Sequence, residues 1–346
     1  MRRSPAQFPL LRAASIRAVL IGLTAILAAC SGVSPSASPA GPSGGPPVSP
    51  AATLAAAPTP SPVAFPLTLT DDEGTTVTIP TAPARIVSLT PATTELLFAI
   101  GLGPKLVGRT EADDYPPAAA EVKTVASYTG VDVEQIVGLG ADLVIAGGNG
   151  FNPPDSIARL RSLGIPVVVV YARTVDGVFD DIRLVGRAAG AAVAAADLAD
   201  SMAAQFDAIR AATDGIERPL VFYEIDATSK IYTAADDSFV AEMITIAGGE
   251  PVTTGSTTSY EIPLERLVSA NPSIILLGDA AYNVTADVVR ARPGWGTIDA
   301  VKAGAIYPVD DVVVTRPGPR LVLGLVDLVR VIHPELGISP LESDAP

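Results

Sequence analysis

A chain of 346 residues that is 48% hydrophobic and only 17% charged carries enough apolar material for a large core and excludes wholesale disorder. Its 37 acidic side chains against 23 basic ones give a formal charge of −14, the wrong sign for following a phosphate backbone, so no nucleic-acid partner is expected. One His and one Cys exclude a zinc site of the His/Cys kind, a multi-cysteine cluster and an internal disulfide framework; carboxylate sites for hard metals stay open, although no resident metal or cofactor is expected.

Residues 1–29 hold Arg2, Arg3, Arg12 and Arg17 and no acid, followed by an apolar run from Ala18 to Ala29, which is the layout of an export signal. The run falls short of the roughly 20 residues that a membrane-spanning helix needs. It ends Leu27-Ala28-Ala29-Cys30, which resembles the lipobox of bacterial lipoproteins. That resemblance implies cleavage before Cys30, lipidation of its thiol, and a mature chain anchored on the extracytoplasmic face of the bacterial cell membrane. Two or more acyl chains make such an anchor stable. Losing residues 1–29 removes four Arg and leaves 19 basic against 37 acidic side chains. Residues 30–65 then read as the lipidated Cys and a disordered tether, because Ser31 to Ala64 has no charge and consists largely of Ser, Pro, Gly, Ala and Thr.

The folded part is expected as a first α/β lobe over 66–190, a linking helix over 191–214 and a second α/β lobe over 215–346. Leu67–Thr70 and Val77–Ile79 flank a Glu73-Gly74 turn and predict a hairpin. Arg85–Leu89 reads as a buried strand, and Thr90 caps a helix that begins at Pro91, buries Leu96, Leu97 and Ile100, and stops at Gly101. Asp142–Ala146 and Pro166–Val170 are further short apolar runs set between helical patterns, the alternation of a largely parallel sheet.

A repeat carries the lobe assignment. Val133-Glu134-Gln135-Ile136-Val137 leads to Asp142-Leu143-Val144-Ile145, and 131 residues later Leu264-Glu265-Arg266-Leu267-Val268 leads to Ser273-Ile274-Ile275-Leu276. Each copy sets a Glu near a helix start and enters a buried strand eight residues after it. Two similar lobes are implied, and Pro219–Ile225 restarts the second as Arg85–Leu89 starts the first. Between them Leu198, Met202, Phe206 and Ile209 share one helical face. A single helix of that length, rising about 1.5 Å per residue, predicts little hinge motion between the lobes.

The strings R-I-V-S-L-T-P-A-T-T-E-L-L-F-A-I-G-L from Arg85, D-Y-P-P from Asp114, Y-T-G-V-D-V-E-Q-I-V from Tyr128, D-L-V-I-A-G-G from Asp142 and G-W-G-T-I-D-A-V-K-A-G from Gly294 together resemble the substrate-binding proteins of iron-complex and cobalamin ABC importers, with S-L-T-P-A-T-T-E and D-Y-P-P closest to the cobalamin branch. The resemblance implies two Rossmann-like α/β lobes joined by one long backbone helix, a cargo held in the cleft, no chemistry on that cargo, and delivery by a monomer to an ABC permease and its ATPase subunits. It places permease docking on Glu134 and Glu265, the pair that the repeat also selects. Carried over by position, Ala92, Tyr128, Tyr232, Tyr260, Asp311 and Arg316 would bind the cargo. That cargo would be a cobalamin-type corrinoid, with haem or a ferric siderophore as the alternative. The only Trp, Trp295, lies outside the expected cleft, and Gly147 stands where the branch has an aromatic.

Competing readings are a hydrolase and a surface lipoprotein that does not transport. The acid pairs Asp113-Asp114, Asp236-Asp237 and Asp310-Asp311 are neighbours in the chain, which does not make a catalytic pair. No G-x-S-x-G elbow is present, and the single His333 sits at the end of the last helix, where it complements the helix dipole.

Overall fold

Alternation of side-chain direction along unbroken apolar runs decides how the layers assemble. The computed structural model describes residues 63–148 and 150–340. The export signal, the lipidation of Cys30 and the tether up to residue 62 lie outside the described residues. β1 (Leu67–Thr70) and β2 (Thr76–Ile79) form the expected antiparallel hairpin, with Leu67 opposite Ile79. Its turn is held by the Asp71 carboxylate, which accepts from the Glu73 and Thr75 N–H groups, and by Gly74 at φ 75°. There follow β3 (Ile86–Ser88), α1 (Pro91–Ala99), β4 (Leu106–Thr110), β5 (Thr124–Ser127), β6 (Gly130–Val131), α2 (Val133–Gly138), β7 (Leu143–Gly147), α3 (Pro154–Ser162), β8 (Val167–Val170) and α4 (Val175–Ala189). The six strands run in the order β6-β5-β4-β3-β7-β8, parallel except for the antiparallel β6.

α5 (Ala192–Ala212) spans about 30 Å at 1.5 Å per residue. It buries Ala195, Ala199, Met202, Phe206 and Ile209, a stripe of alternating steps of four and three; Leu198 sits at the edge of that stripe, half-buried. α4 and α5 approach so closely that a β-carbon on Gly186 would meet that of Ala195 at 2.0 Å. The Phe179 and Phe206 rings meet edge to face at 5.4 Å.

The second lobe contains β9 (Leu220–Glu224), α6 (Phe239–Ile246), β10 (Glu250–Pro251), α7 (Leu264–Ala270), β11 (Ile274–Leu277), α8 (Ala286–Arg290), α9 (Asp299–Ala303), β12 (Ile306–Pro308), α10 (Asp311–Thr315) and α11 (Leu321–Ile332). Its strands are all parallel, in the order β10-β9-β11-β12.

Because successive strand residues point to opposite faces, Ile86, Leu143 and Ile145 of the first sheet and Val221, Tyr223, Ile274 and Leu276 of the second enter one shared core, with residues of α4, α5, α6 and α11. Their strand neighbours face outward into separate clusters: Val87, Val144 and Ala146 in the first lobe, Phe222, Ile275 and Leu277 in the second. The repeat holds residue by residue. Leu143 and Ile274 lie in the shared core, Val144 and Ile275 in the outer clusters, and Ile136 and Leu267 are the buried residues of α2 and α7. Swinging the lobes apart would expose apolar surface at a cost of roughly 25 cal/mol per Å².

Candidate functional site

The carboxyl ends of the two sheets face one another, as the contacts between lobes show. Thr90, after β3, caps α1 by accepting from the Thr93 N–H, so the first turn of α1 begins at the carboxyl end of β3. The loop Arg316-Pro317-Gly318-Pro319-Arg320, between α10 and α11, lies against that turn: a β-carbon on Gly318 would stand 3.4 Å from the Ala92 carbonyl oxygen. Beyond β8, Arg173 pairs with Asp237 at 3.7 Å, and Glu242 of α6 accepts from the Val175 N–H at the start of α4.

At the centre of this face lies an ion cluster built from both lobes. Glu95 of α1 has a side chain only 2% exposed. Its Oε1 accepts from Arg316 Nη1 at 2.6 Å, and Arg320 grips both oxygens, Nη2 to Oε1 at 2.6 Å and Nε to Oε2 at 2.9 Å. Arg316 also donates to Asp114 Oδ1 at 2.8 Å, and the Arg320 guanidinium stacks over the Tyr115 ring at 4.1 Å. Burial works against the Asp114 carboxylate, but the Arg316 hydrogen bond and charge outweigh it and hold its pKa below the usual range. Arg316 keeps its charge more firmly than usual despite burial, because Asp114 and Glu95 flank it.

Aromatic side chains crown the same ends. Tyr128 follows β5 and is 92% exposed, anchored through its N–H to the Glu111 carboxylate at 2.8 Å. Phe151 follows β7 at 72% exposure, and Tyr282 follows β11 at 82%. Gly147 itself has no room for an aromatic, since a β-carbon there would meet Thr90 Cγ2 at 2.6 Å, and the Phe151 side chain lies beside it. Tyr232 and Tyr260 come together on adjacent extended segments. Tyr232 bridges Asp226 and Glu261, and the Tyr260 carbonyl accepts from the Thr233 N–H. Burial raises the Tyr260 hydroxyl pKa, helped by Tyr171 of the first lobe and by Asp237.

On the second lobe the strand ends are acidic. Glu224, its side chain wholly buried, receives both Arg292 nitrogens at 2.6 and 2.7 Å. Asp279 lies beside it, buried, with no hydrogen-bond partner within 3.5 Å for either oxygen except what its proton can supply, and burial together with the Glu224 carboxylate pushes its pKa up to about 7. Asp311 Oδ1 accepts from the Tyr223 hydroxyl at 2.7 Å; burial, then Asp311, raises that phenol's pKa.

Comparison with known proteins decides the family. The model of the periplasmic binding protein family matches residues 86–313. The chain belongs to that family. An ABC transporter substrate-binding lipoprotein of Bacillus subtilis, YvrC, is 36% identical over 276 residues, covering 78% of this chain and 87% of its own length. A cobalamin-binding protein of Halobacterium salinarum is 31% identical over 290 residues, covering 78% of this chain and 75% of its own. Among solved structures, the periplasmic haem-binding protein RhuT of Roseiflexus superposes with a TM-score of 0.64 at 26% identity, over 73% of this chain and 98% of that one.

For this periplasmic binding protein, the structure gathers Ala92 and Arg316 at the ion cluster, sets Tyr232 and Tyr260 on neighbouring segments joined by the Tyr232–Glu261 bridge, and leaves Tyr128 apart at the tip of β5. Asp311 is turned to Tyr223. Glu134 and Glu265 are exposed in the first turns of α2 and α7. Glu95, Arg320, Phe151 and Tyr282 were outside the expected set. Their signals were faint: an acid one turn into an apolar helix, a second Arg four residues after the first, and aromatics just beyond strand ends. His333 is structural, with Nδ1 on Glu335 at 2.7 Å and Nε2 on the Gly248 carbonyl at 3.1 Å. Trp295 is buried in the outer cluster of the second lobe beneath Arg292.

Proposed function

We propose that this periplasmic binding protein is the cargo-capturing component of an ABC importer and that its cargo is a cobalamin-type corrinoid. The observation that carries the proposal is the set of exposed aromatic faces, Tyr128, Phe151, Tyr260 and Tyr282, at the carboxyl ends of strands in both lobes. Strand carboxyl ends are where open α/β sheets bind ligands, and aromatic faces with few ionic anchors suit a large flat amphipathic molecule. The cobalamin-binding relative supports the same cargo. Glu134 and Glu265, placed alike on the two lobes, are the proposed contacts to the permease; two matched carboxylates give register as well as attraction. No helix among the described residues is long and apolar enough to cross a membrane, and the proposed lipid on Cys30 would hold the protein at the extracytoplasmic surface.

Haem is the second reading, favoured by the similarity to the haem-binding RhuT and by the tyrosines on this face. Titration of the purified protein with cyanocobalamin and with haemin, followed by heat and by the visible spectrum, separates the two. Saturable one-to-one binding of cyanocobalamin is expected. Binding of haemin alone would transfer the assignment to haem, and binding of neither would remove both cargoes.

A further inference from the structure

We propose that Glu95 sets the charge class of the cargo: by neutralising Arg316 and Arg320 it converts what would be an anion site between the lobes into a site for molecules without carboxylates. This rests on the reading of the interlobe face as the cargo site, and it concerns charge, not ring type.

The two arginines are the strongest cationic feature of that face. Arg316 comes from the second lobe and touches two acids of the first, Glu95 and Asp114; Arg320 spends its bidentate fork on Glu95. Two positive charges therefore meet two negative ones, with no surplus. Two further arginines close to these strand ends are matched as well, Arg173 with Asp237 and Arg292 with Glu224, and Arg109 near the end of β4 is spent on the backbone carbonyls of Thr110, Ala119 and Ala120. The second lobe adds Asp279, Asp310 and Asp311, so the balance of the face is acidic. A carboxylate on the cargo would have to displace Glu95 from a position where its side chain is 2% exposed, stranding a buried charge. Amide-bearing or cationic cargo meets no such cost. Rejection by a charge that is already paired is specificity gained against the wrong ligand.

The test uses one macrocycle in two charge states: cyanocobalamin and its derivative in which a single side-chain amide has been hydrolysed to a carboxylate, with haemin, which carries two carboxylates, as a third probe. The quantity read is the ratio of affinities, carboxylate form over amide form. The parent protein is expected to favour the amide form, and Glu95→Gln, which leaves one guanidinium charge unmatched, should raise the ratio roughly tenfold, about 1.4 kcal/mol. Asp114→Asn is the companion variant, because Asp114 is 63% exposed and its replacement does not threaten folding; it should move the ratio the same way by a smaller factor. A parent that prefers the carboxylate form, or two folded variants whose ratio equals the parent's, would overturn the proposal. If the parent binds no corrinoid at all, the haemin affinity of the variants against the parent still decides: a rise upholds the role of Glu95 while the corrinoid assignment falls, and no rise overturns both.

Discussion

Replacing Arg292 by Gln should destabilise the protein more than loss of a surface ion pair would, and in a pH-dependent way. Arg292 is 15% exposed and its partner Glu224 not at all, and two short hydrogen bonds join them at 2.6 and 2.7 Å. Breaking a buried pair by removing one partner costs about 3–5 kcal/mol. For a folded unit of about 280 residues that corresponds to about 5–9 °C in the melting midpoint. The neighbouring Asp279, already raised to about 7 by burial and by Glu224, is a second acid that faces the lost Arg292 charge and adds to the cost. In the variant, Asp279 would lose the Arg292 charge that now holds its pKa down, so its folded value would climb further above the unfolded one. A group raised in that sense lends full stability below the unfolded pKa and loses it as the pH rises through the folded one. The deficit against the parent should therefore be largest at pH 7.5 and shrink towards pH 5. Thermal melts followed by circular dichroism at both values measure it. A deficit under about 1 kcal/mol at pH 7.5, or one that grows on acidification, would refute the reasoning.

A substitution at Asp181 should shift stability in the opposite direction. Burial first, then the hydrogen bond and charge of Asp72, push its carboxyl up to about 9, so the fold holds it protonated while the unfolded chain ionises. Its contribution is present below the usual carboxylate range and drains away as the pH climbs towards 9; Asp181→Asn should raise stability at pH 8 by on the order of 1–2 kcal/mol and change little near pH 4, as melts at both values would show. Reversing both carboxylates of the proposed permease contact, Glu134→Lys with Glu265→Lys, should abolish uptake into cells while leaving cargo affinity within twofold by titration. Weakened cargo binding would instead move the pair into the cleft.

The architecture was legible because it is written in short-range patterns. Unbroken apolar runs at 143–146 and 274–277 told strands buried on both faces, Thr90-Pro91 told a capped helix, and the 131-residue offset told two lobes before any contact was known. The shared core was not legible, because which face of Leu143 or Ile274 meets which helix depends on how the lobes sit. The site was legible only in part for the same reason. Arg316 stood out as a charged residue before a Pro-Gly-Pro turn, but its main partner, Glu95, is 221 residues away in sequence. Nothing local marks an acid on an apolar helix as the receiver of two arginines from the other lobe. Gly147 shows the reverse case: the sequence marks a missing aromatic, and only the distance to Thr90 explains why none fits and why Phe151 takes the place beside it.

The claim at the centre of this account is that cargo binds between the lobes at the strand ends, and amide hydrogen exchange with and without cyanocobalamin tests it most directly. Protection is predicted in the segments around Ala92 to Glu95, Tyr128, Phe151, Tyr260, Tyr282 and Arg316 to Arg320, with none at the starts of α2 and α7, which carry the proposed permease contacts Glu134 and Glu265. Protection that appeared at α2 and α7 and spared the strand ends would contradict it.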